Sequence, residues 1–558
     1  MKNWRISFIF YLVVIVGAAI IGRLFYLQVV NHKFYQAQAL GLQSAFQEVV
    51  GARGEIFFKN NSKSLAINND KWSVSVNPTE TEDADVTATE LAKIIKDTKE
   101  NILSKINNGG SYVLIKNKLT EEEVASIRSL KLAGIHIETQ SGRYYSQNKI
   151  ASQVVGFLGG GGLGQYGLEG YYDNILKGEE SFSQNPGGLV FFNTDNLDPS
   201  SLDGSDLYLT IDYNIQYQAE SILKEAKKDF GIDAGQIIVM EPQTGKIVAL
   251  ANFPGFDPNQ YAKEKDLGIF QNSAIQKVYE LGSVLKPITV AIALNEGRIS
   301  TDTTYRDEGC VMVGKQNICN FDRTAKYGTQ TTTQLLEKSL NTGAVFVSQQ
   351  IPHDVYLDYI DRFGFGEKTG VDLQGEVASG NSNLRNGGDV NFATASFGQG
   401  IELTPLQLIT AFCPIANGGK LVRPYVVDKI VNNQREEVPT NTKIVREVIT
   451  PKTSSEVTTM MISVVDNGVA NKAKVPGYYI AGKTGTAQVA NEGRLGYDPA
   501  KTIHSFIGFA PALNPRFIAY IKFDNPKGKS SGTTAAPAFS KLAQYILNYW
   551  QIPSDYEQ

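Results

Sequence analysis

The stretch YELGSVLKPIT, residues 279–289, carries a serine and a lysine three positions apart, Ser283 and Lys286. Residues at this spacing on a helix lie on one face, so the lysine amine can reach the serine hydroxyl. A serine beside a group that can take its proton is the arrangement of a nucleophile. The spacing alone does not identify a site, because two other pairs share it: Ser146 with Lys149 and Ser221 with Lys224.

Two later elements carry the other groups that a serine acyl-enzyme needs. Ser339-Leu-Asn341 follows the first pair, and Lys483-Thr-Gly485 follows that. Acyl transfer requires a base, a second group that moves protons, and donors for the substrate's carbonyl oxygen and anionic end. The ordered set Ser-x-x-Lys, Ser-x-Asn and Lys-Thr-Gly supplies these groups. The sequence therefore predicts a serine acyl-transfer site.

Each later element also has a copy elsewhere, and the local sequence separates the two. A second Lys-Thr-Gly begins at Lys368 in the glycine-rich FGFGEKTGVDL, and a second Ser-x-Asn begins at Ser379 in ASGNSN; both patterns predict loops. Lys483 lies in YYIAGKTGTAQV, which favours an open strand edge able to accept an extended peptide. Ser339 ends the helical TTTQLLEKS just before the apolar AVFVSQQI, which predicts a turn between two helices.

The elements that position these residues follow a strand, helix, strand order. The segments QIIVMEP and KIVALAN, joined by QTG, have the pattern of a β-hairpin. A helical middle follows, and strand-like segments return after residue 475. This order predicts an α+β fold.

The part of the chain from about 45 to 200 alternates short apolar strands with polar loops. The strand-like segments are WSVSV, SYVLI and IHIET. Apolar residues at three- and four-residue spacing predict helices over ATELAKIIKDTKENILSKI and TEEEVASIRSL. The length of 558 residues is enough for two or three domains.

Composition excludes several classes of protein. Basic and acidic residues number 53 and 57, giving a net charge of −4 that does not favour nucleic acid as a partner. Three cysteines are too few for a disulfide framework and lack zinc-site spacing, and the four histidines are scattered. We therefore expect no metal site and no cofactor. A disulfide between Cys310 and Cys319 would close a small loop if the domain lies outside the cytoplasm. Cys413 is expected to be a buried apolar residue.

The N-terminus has the pattern of a membrane anchor. Lys2 and Arg5 precede Ile6–Gly22, a run of 17 residues without a charge, and apolar character continues to Val30. The stretch is long enough to cross a bilayer, and the basic residues favour a cytoplasmic N-terminal end. A secretory signal peptide cleaved after Ala37-Gln38-Ala39 is the alternative. We favour a retained anchor.

The chain resembles a class B penicillin-binding protein, a peptidoglycan D,D-transpeptidase, along nearly its whole length. The resemblance rests on an ordered series of segments: RLFYLQVV, ARGEI, RYY with ASQVVGFLG, GLEGYYDNILKG, DLYLTIDYNIQ, VMEPQTGKIVALANFPGFDPN, YELGSVLKP, SLNTGAV, FGQGIELTPLQL, NGGKLVRPY, AGKTGTAQ and SFIGFAP. Leu281 stands where family members often have proline, and Leu340 stands where β-lactamases carry aspartate. No segment resembles the glycosyltransferase module of class A members.

The resemblance implies a role for each catalytic residue. Ser283 would attack the penultimate D-Ala carbonyl of a stem peptide, with Lys286 as the base. Ser339 would relay a proton to the leaving amine, and Asn341 would bind the substrate amide.

The resemblance also implies a binding strand. Lys483, Thr484 and Thr486, in the Lys-Thr-Gly-Thr run that includes Gly485, would bind the carboxylate of the substrate or of a β-lactam. The backbone N–H groups of Ser283 and Thr486 would form the oxyanion hole, the first at a helix N-terminus.

The resemblance implies the domain organisation and the setting. We expect a transmembrane anchor over 1–30, a mostly β pedestal of the dimerisation type over 40–200, a transpeptidase domain over 205–550 and a tail over 551–558. The transpeptidase domain would have an antiparallel sheet with flanking helices and a helical subdomain. The chain would cross the cytoplasmic membrane once, with its catalytic part outside. Expected partners are peptidoglycan stem peptides, β-lactams, a SEDS-family glycan polymerase and other divisome proteins.

Several readings of the function remain. The likeness favours the septal, cell-division type over the elongation type that maintains cell shape. Water in place of an acceptor amine would make the enzyme a D,D-carboxypeptidase or a serine β-lactamase. A scaffold or a β-lactam sensor is the non-enzymatic alternative, and only about five residues precede the apolar run to carry a signal.

Overall fold

The structure is a computed structural model that describes residues 4–26, 46–61, 63–69, 71–108, 113–140, 142–184, 199–491 and 496–557. The chain forms two compact units. The first comprises Met1–Gly54, Ile175–Ser205 and Asn432–Glu436, and the second comprises Glu55–Asn174, Asp206–Val431 and Glu437–Gln558. The domain bounds expected from the sequence stay a prediction.

The helices and strands are numbered in chain order. The α-helices are α1 (Trp4–Phe25), α2 (Ala84–Ile95), α3 (Lys99–Asn108), α4 (Glu121–Leu130), α5 (Ser152–Val155), α6 (Gly167–Tyr171), α7 (Asp173–Leu176), α8 (Tyr213–Phe230), α9 (Ser273–Gln276), α10 (Lys286–Asn295), α11 (Thr332–Lys338), α12 (Asn341–Gln349), α13 (His353–Arg362), α14 (Ser382–Arg385), α15 (Asp389–Ala395), α16 (Pro405–Ala416), α17 (Pro451–Asp466) and α18 (Ala535–Tyr549).

The strands are β1 (Phe46–Val50), β2 (Ile56–Phe57), β3 (Ser64–Asn68), β4 (Lys71–Val76), β5 (Val113–Leu119), β6 (Ile135–Gln140), β7 (Arg143–Tyr145), β8 (Phe157–Leu158), β9 (Gly164–Gln165), β10 (Glu180–Gln184), β11 (Asp206–Leu209), β12 (Ala234–Met240), β13 (Ile247–Phe253), β14 (Tyr279–Glu280), β15 (Thr304–Asp307), β16 (Cys310–Val313), β17 (Gln316–Cys319), β18 (Gly328–Thr331), β19 (Glu402–Leu403), β20 (Lys420–Val422), β21 (Val427–Val431), β22 (Glu437–Pro439), β23 (Ile444–Glu447), β24 (Ala481–Ala490), β25 (Tyr497–Ala510) and β26 (Phe517–Asp524).

The first unit contains α1 and the antiparallel pair β1 and β10. Helix α1 covers most of the segment where the sequence predicts an anchor, and residues 1–3 and 27–30 of that prediction lie outside the described residues. Among the residues that the structure describes, no helix was found that is long and apolar enough to cross a membrane.

In the second unit, a three-stranded antiparallel sheet of order β5-β4-β6 packs with α2, α3 and α4. The sequence pattern predicts one helix where α2 and α3 lie, and this prediction is wrong. Lys96 adopts a left-handed conformation (φ 56°) that ends α2. The Asp97 side chain accepts from Thr98 N (2.7 Å), and the Thr98 hydroxyl accepts from Asn101 N (3.3 Å). These bonds begin a new helix, because short polar side chains stabilise turns and helix starts.

The centre of the second unit is a five-stranded antiparallel sheet of order β13-β12-β26-β25-β24. Strands β12 and β13 form the hairpin that the QTG turn predicts. Helices α8 and α18 contact each other and pack on this sheet, as do α16 and α17. Strand β24 lies at the end of the strand order, so one of its edges is not paired within this sheet.

A helical block lies between β13 and the last strands of the central sheet, as the sequence predicts. Helix α10 is its core, since every residue from Lys286 to Leu294 is buried. From β12 onward, the strands of the central sheet come before and after the helical block, and they pair antiparallel rather than forming βαβ units. The predicted α+β fold is confirmed.

Candidate active site

Ser283 lies on a single turn of 3-10 helix, Gly282–Leu285, that leads directly into α10. Lys286 is the first residue of α10, one turn after the serine, and Pro287 occupies the first turn, where a missing N–H costs little. Lys286 is fully buried, whereas Ser283 is half-buried. The predicted helix start is confirmed.

A glycine before the nucleophile allows this turn to pack closely. Gly282 has φ +63°, a conformation that L side chains rarely adopt. A Cβ at this position would lie 2.8 Å from the Thr486 carbonyl oxygen. The Gly282 N–H donates to the Gly398 carbonyl oxygen at 3.0 Å. The turn therefore lies directly against β24.

Ser339 and Asn341 occupy the turn between α11 and α12. Ser339 is the residue that ends α11 and has φ 56°, and α12 begins at Asn341. Leu340 is buried and its N–H donates to the Leu335 carbonyl oxygen at 2.9 Å. The left-handed residue reverses the chain, so the two polar side chains face the start of α10.

Lys483, Thr484, Gly485 and Thr486 all lie on the edge strand β24. A Cβ at Gly485 would lie 2.5 Å from Ser505 Oγ and 2.7 Å from Val284 Cγ1. Glycine is thus the residue that lets β24 approach the serine turn.

Three of the predicted site residues meet at one hydroxyl. Ser339 Oγ lies 2.8 Å from Lys483 Nζ and 3.4 Å from Lys286 Nζ. The Lys286 amine also donates to the Ser339 carbonyl oxygen (2.6 Å) and to Asn341 Oδ1 (2.8 Å). One hydrogen-bond network therefore connects residues of α10, of the α11–α12 turn and of β24.

Both lysine amines are poised to lose their protons. Burial lowers the pKa of Lys483 to about 7. Burial, with the positive charge of Lys483 beside it, lowers the pKa of Lys286 well below its usual value. Desolvation and a neighbouring like charge both disfavour an ammonium ion, so a neutral amine is accessible near neutral pH.

Other contacts complete the site, and sequence reasoning missed them. Thr486 Oγ1 lies 3.0 Å from Ser531 Oγ, and Asn341 Nδ2 donates to the Cys319 carbonyl oxygen at 2.9 Å. Ser531 has no motif around it that points to the site. Cys319 is bonded to Cys310, which settles the option that the sequence left open. Cys413 is buried and free, as expected.

The copies of the motifs lie elsewhere. Lys368 is exposed in a loop, where it borders a cavity of about 680 Å³ whose lining shares no residue with the predicted site. Ser379 and Asn381 bond to each other, and Asn381 Nδ2 donates to the Phe365 carbonyl oxygen. Ser221 donates to the Tyr217 carbonyl oxygen of its own helix. The second copies of the two motifs therefore lie in loops, as their local sequence predicts, and away from Ser283.

A serine at the start of a buried helix, with two amines of lowered pKa and an open strand edge beside it, defines the class of serine acyl-transfer sites. Residues 235–544 match the penicillin binding protein transpeptidase domain, and residues 48–186 match the penicillin-binding protein dimerisation domain. The chain belongs to the class B penicillin-binding proteins, the family that the sequence resembles.

Individual relatives cover nearly the whole chain. Stage V sporulation protein D of Bacillus subtilis is 33% identical over 555 residues, which span 97% of this chain and 85% of the relative. The peptidoglycan D,D-transpeptidase FtsI homolog of Mesostigma viride is 28% identical, over 96% of this chain and 94% of the relative. The crystal structure of penicillin binding protein 3 from Mycobacterium tuberculosis, complexed with aztreonam, superposes with a TM-score of 0.70 at 26% identity, covering 91% of this chain and 98% of that one.

Proposed function

We propose that the chain is a peptidoglycan D,D-transpeptidase that crosslinks stem peptides through an acyl-enzyme on Ser283. The observation that carries this function is the Ser339 hydroxyl between two buried amines of lowered pKa, of which Lys286 lies one helical turn after Ser283. A proton can then move from the nucleophile to the leaving group without leaving the site.

In the first half-reaction, the Ser283 oxygen bonds to the penultimate D-Ala carbonyl carbon while the neutral Lys286 amine takes the serine proton. The tetrahedral oxyanion is held by the backbone N–H groups of Ser283 and Thr486. The C–N bond to the terminal D-Ala then breaks, and a proton passes through Ser339 to the leaving amine.

In the second half-reaction, an amine of another stem peptide attacks the ester carbonyl and releases Ser283, which regains its proton. Asn341 binds the donor's amide, and the edge strand β24 accepts the extended peptide. Lys483, as a cation, binds the terminal carboxylate together with Thr484 and Thr486, and Gly485 keeps the strand close to the serine.

The same chemistry makes a β-lactam a covalent inhibitor, since the ring-opened drug stays attached to Ser283. Intact mass spectrometry of the full chain in detergent, with and without benzylpenicillin, tests this. We expect one adduct that maps to Ser283 and is absent from Ser283→Ala. Ser379→Ala, which changes only the copy of the second motif, serves as the control and keeps the adduct.

An adduct that survives in Ser283→Ala would assign the nucleophile to another residue. A folded wild type without an adduct would favour a scaffold.

Hydrolysis is the second candidate chemistry, because water can replace the acceptor amine. Slow, stoichiometric acylation by nitrocefin is the result that we expect of a transpeptidase. Rapid nitrocefin turnover by the wild type, lost in Ser283→Ala, would instead assign a β-lactamase, and release of D-Ala without crosslinked product would assign a carboxypeptidase.

The septal role is proposed on the likeness of GLEGYYDNILKG and VVGFLG to the cell-division branch. Depleting the protein in its own cells should give filaments with few septa, whereas swollen cells with normal septa would favour the elongation type.

The anchor over residues 1–30 is proposed on the uncharged run Ile6–Gly22 of the sequence. It would place the N-terminus inside and the catalytic part outside the cytoplasmic membrane, beside a SEDS-family polymerase. We expect the full chain to stay with membranes in alkaline carbonate, and a chain lacking residues 1–30 to be released. Release of the full chain would contradict the anchor.

A further inference from the structure

A disulfide-closed hairpin lies against the predicted active site. Strands β16 and β17 pair antiparallel, with Cys310 directly opposite Cys319, and the two sulfur atoms are bonded. Cys319 is the last residue of β17, so the bond fixes the point where the chain leaves the hairpin. Both cysteines are half-buried and therefore accessible to a small reductant.

The residues at this exit point hold the first turn of α12. The Cys319 carbonyl oxygen accepts from Asn341 Nδ2 at 2.9 Å, and Asn320 Oδ1 accepts from Thr342 N at 3.2 Å. Leu340, the residue before α12, provides no side-chain cap. Asn320, next to the hairpin, thus caps the N-terminus of α12 in place of Leu340.

The bond to Cys319 favours the orientation of the Asn341 amide in which its oxygen faces the lysine, and it still does so when the lysine is neutral. A carbonyl oxygen only accepts hydrogen bonds, so it selects the NH₂ end and leaves Oδ1 to accept from Lys286 Nζ at 2.8 Å. With the amide reversed, the NH₂ group would face the amine, and the oxygen would face the carbonyl. The position of the Cys319 carbonyl therefore orients a group that the proposed mechanism uses.

The hairpin is tied at its base to the same turn. Asn320 N donates to the Gly309 carbonyl oxygen at 2.9 Å, and Asn320 Nδ2 donates to Asp307 Oδ1 at 2.8 Å. Thr342 Oγ1 donates to that carboxylate oxygen at 2.5 Å. These bonds hold Asn320, while the disulfide is the covalent link that holds Cys319 in place.

We propose that the Cys310–Cys319 disulfide is a positioning element of the active site, which orients Asn341 through the Cys319 carbonyl so that acylation of Ser283 depends on the oxidised pair. This inference rests on the proposed function. Opening the link takes two electrons and two protons from a dithiol, which becomes a disulfide while Cys310 and Cys319 become thiols. The Cys319 carbonyl then loses its covalent restraint and keeps only the hydrogen bonds of the adjoining Asn320, so its distance from Asn341 can change and the amide can reorient.

The test measures the rate of acylation by a fluorescent penicillin in the full chain, oxidised, reduced with dithiothreitol and then reoxidised. The oxidised wild type must first label at Ser283; failure at this step overturns the proposed function and is seen before any reduction. We expect reduction to slow labelling by roughly tenfold or more, since small displacements of positioning groups have effects of that size. Reoxidation should restore the rate.

The same measurement in Asn341→Ala separates orientation from loss of fold. If the disulfide acts through Asn341, reduction slows the wild type but leaves the lower rate of Asn341→Ala unchanged, as expected for two changes in one chain of contacts. An equal slowing in both proteins, or no slowing of the wild type, would overturn the proposal. Partial unfolding on reduction would slow labelling of the wild type and of Asn341→Ala equally, so it would also count against the proposal.

The pH profile adds a readout that a structural role would not move. Asn341 Oδ1 accepts from the Lys286 amine and so favours its charged form. Losing this acceptor lowers the pKa of Lys286, so the acid limb of the labelling profile should shift to lower pH in the reduced wild type.

Two controls apply. Of the three cysteines, Cys413 is a free thiol, so the reductant opens the Cys310–Cys319 bond. Cys413 is buried, and burial raises the pKa of its thiol, so it does not compete for either partner during reoxidation. A Cys310→Ser, Cys319→Ser double variant should label at the rate of the reduced wild type and should not respond to dithiothreitol.

Discussion

At the scale of single residues, the chemistry of the site depends on the protonation states of two buried lysines. Lys286 and Lys483 lie in surroundings that disfavour an ammonium ion, and the Ser339 hydroxyl connects them. The proposed mechanism needs one neutral amine as the base and one charged amine to bind a carboxylate. The pH dependence of acylation therefore depends on both lysines.

Acylation by a carboxylate-bearing penicillin should be bell-shaped in pH. The rate rises as Lys286 loses its proton, because only the neutral amine can accept the serine proton. It falls above about pH 7, because the pKa of Lys483 is lowered to about 7 and the amine loses its charge there. In Lys483→Arg the guanidinium stays charged, so the alkaline limb should disappear even though the maximal rate falls. If the alkaline limb persists in Lys483→Arg, the fall in rate comes from the titration of a group other than Lys483.

At the scale of elements, the site is assembled by close approach and by buried polar contacts. Strand β24 reaches the serine turn because Gly485 has no side chain to fill the gap. The turn before α12 is held by the hairpin and by Asp307, which ends β15. Each contact joins elements that are far apart in the chain.

Replacing Gly485 by alanine should separate β24 from the serine turn. The added Cβ would lie 2.5 Å from Ser505 Oγ and 2.7 Å from Val284 Cγ1, so one element must move. We expect roughly a hundredfold slower acylation, with a stability loss of about 1–3 kcal/mol. Thermal melts and fluorescent-penicillin labelling measure both. Gly161→Ala, where a Cβ would meet nothing within 4 Å, is the control. Labelling at the wild-type rate in Gly485→Ala would contradict the close approach.

Replacing Asp307 by alanine should destabilise the fold more at neutral pH than in acid. Burial alone would raise the pKa of Asp307, but hydrogen bonds from Thr342, Tyr327 N and Asn320 outweigh it and lower the pKa. A depressed pKa adds stability that is present above the unfolded pKa and is lost as pH falls through the folded one.

The Asp307 stability difference should be about 1–3 kcal/mol at pH 7 and should shrink below about pH 4. Denaturant unfolding at a series of pH values measures it. A difference that stays constant with pH would show that the carboxylate charge is not the cause.

At the scale of the whole molecule, residues 143–169 of the dimerisation-domain match pack against residues 256–270, and both segments lie in the second unit. The backbone of Tyr145 exchanges two hydrogen bonds of 2.9 Å with the Asn259 side chain. Phe157 stacks on Tyr261 at 4.3 Å and contacts Phe256 and Phe270 edge-on. Within the first of these segments, Arg143 Nε donates to Glu169 Oε1 at 2.7 Å, with both side chains almost fully buried.

Removing the buried acid should unfold the chain far more readily than removing an exposed one. Glu169→Ala leaves the Arg143 charge buried without this carboxylate, and we expect a loss of about 3–5 kcal/mol. Glu90→Ala removes the partner of Lys93 in an exposed ion pair and should cost about 0.2–1 kcal/mol. Thermal denaturation of the two variants compares them. Equal losses would mean that the Arg143–Glu169 pair is solvated in solution.

The sequence by itself determined the features that depend on a few neighbouring residues. The QTG hairpin, the turn at Ser339 and the start of α10 were all predicted, because turn residues, helix caps and apolar periodicity act over one or two turns of chain. The break between α2 and α3 was missed, because the apolar spacing continued across it and only the short polar residues marked it.

Only the tertiary structure decided which distant groups meet. Ser339 and Lys483 are 144 residues apart in sequence, and their contact follows from the packing of β24 against the serine turn. The hydrogen bond from Asn341 to the Cys319 carbonyl likewise depends on where the hairpin packs. Such contacts are set by burial and shape across the whole unit, which no local pattern in the sequence records.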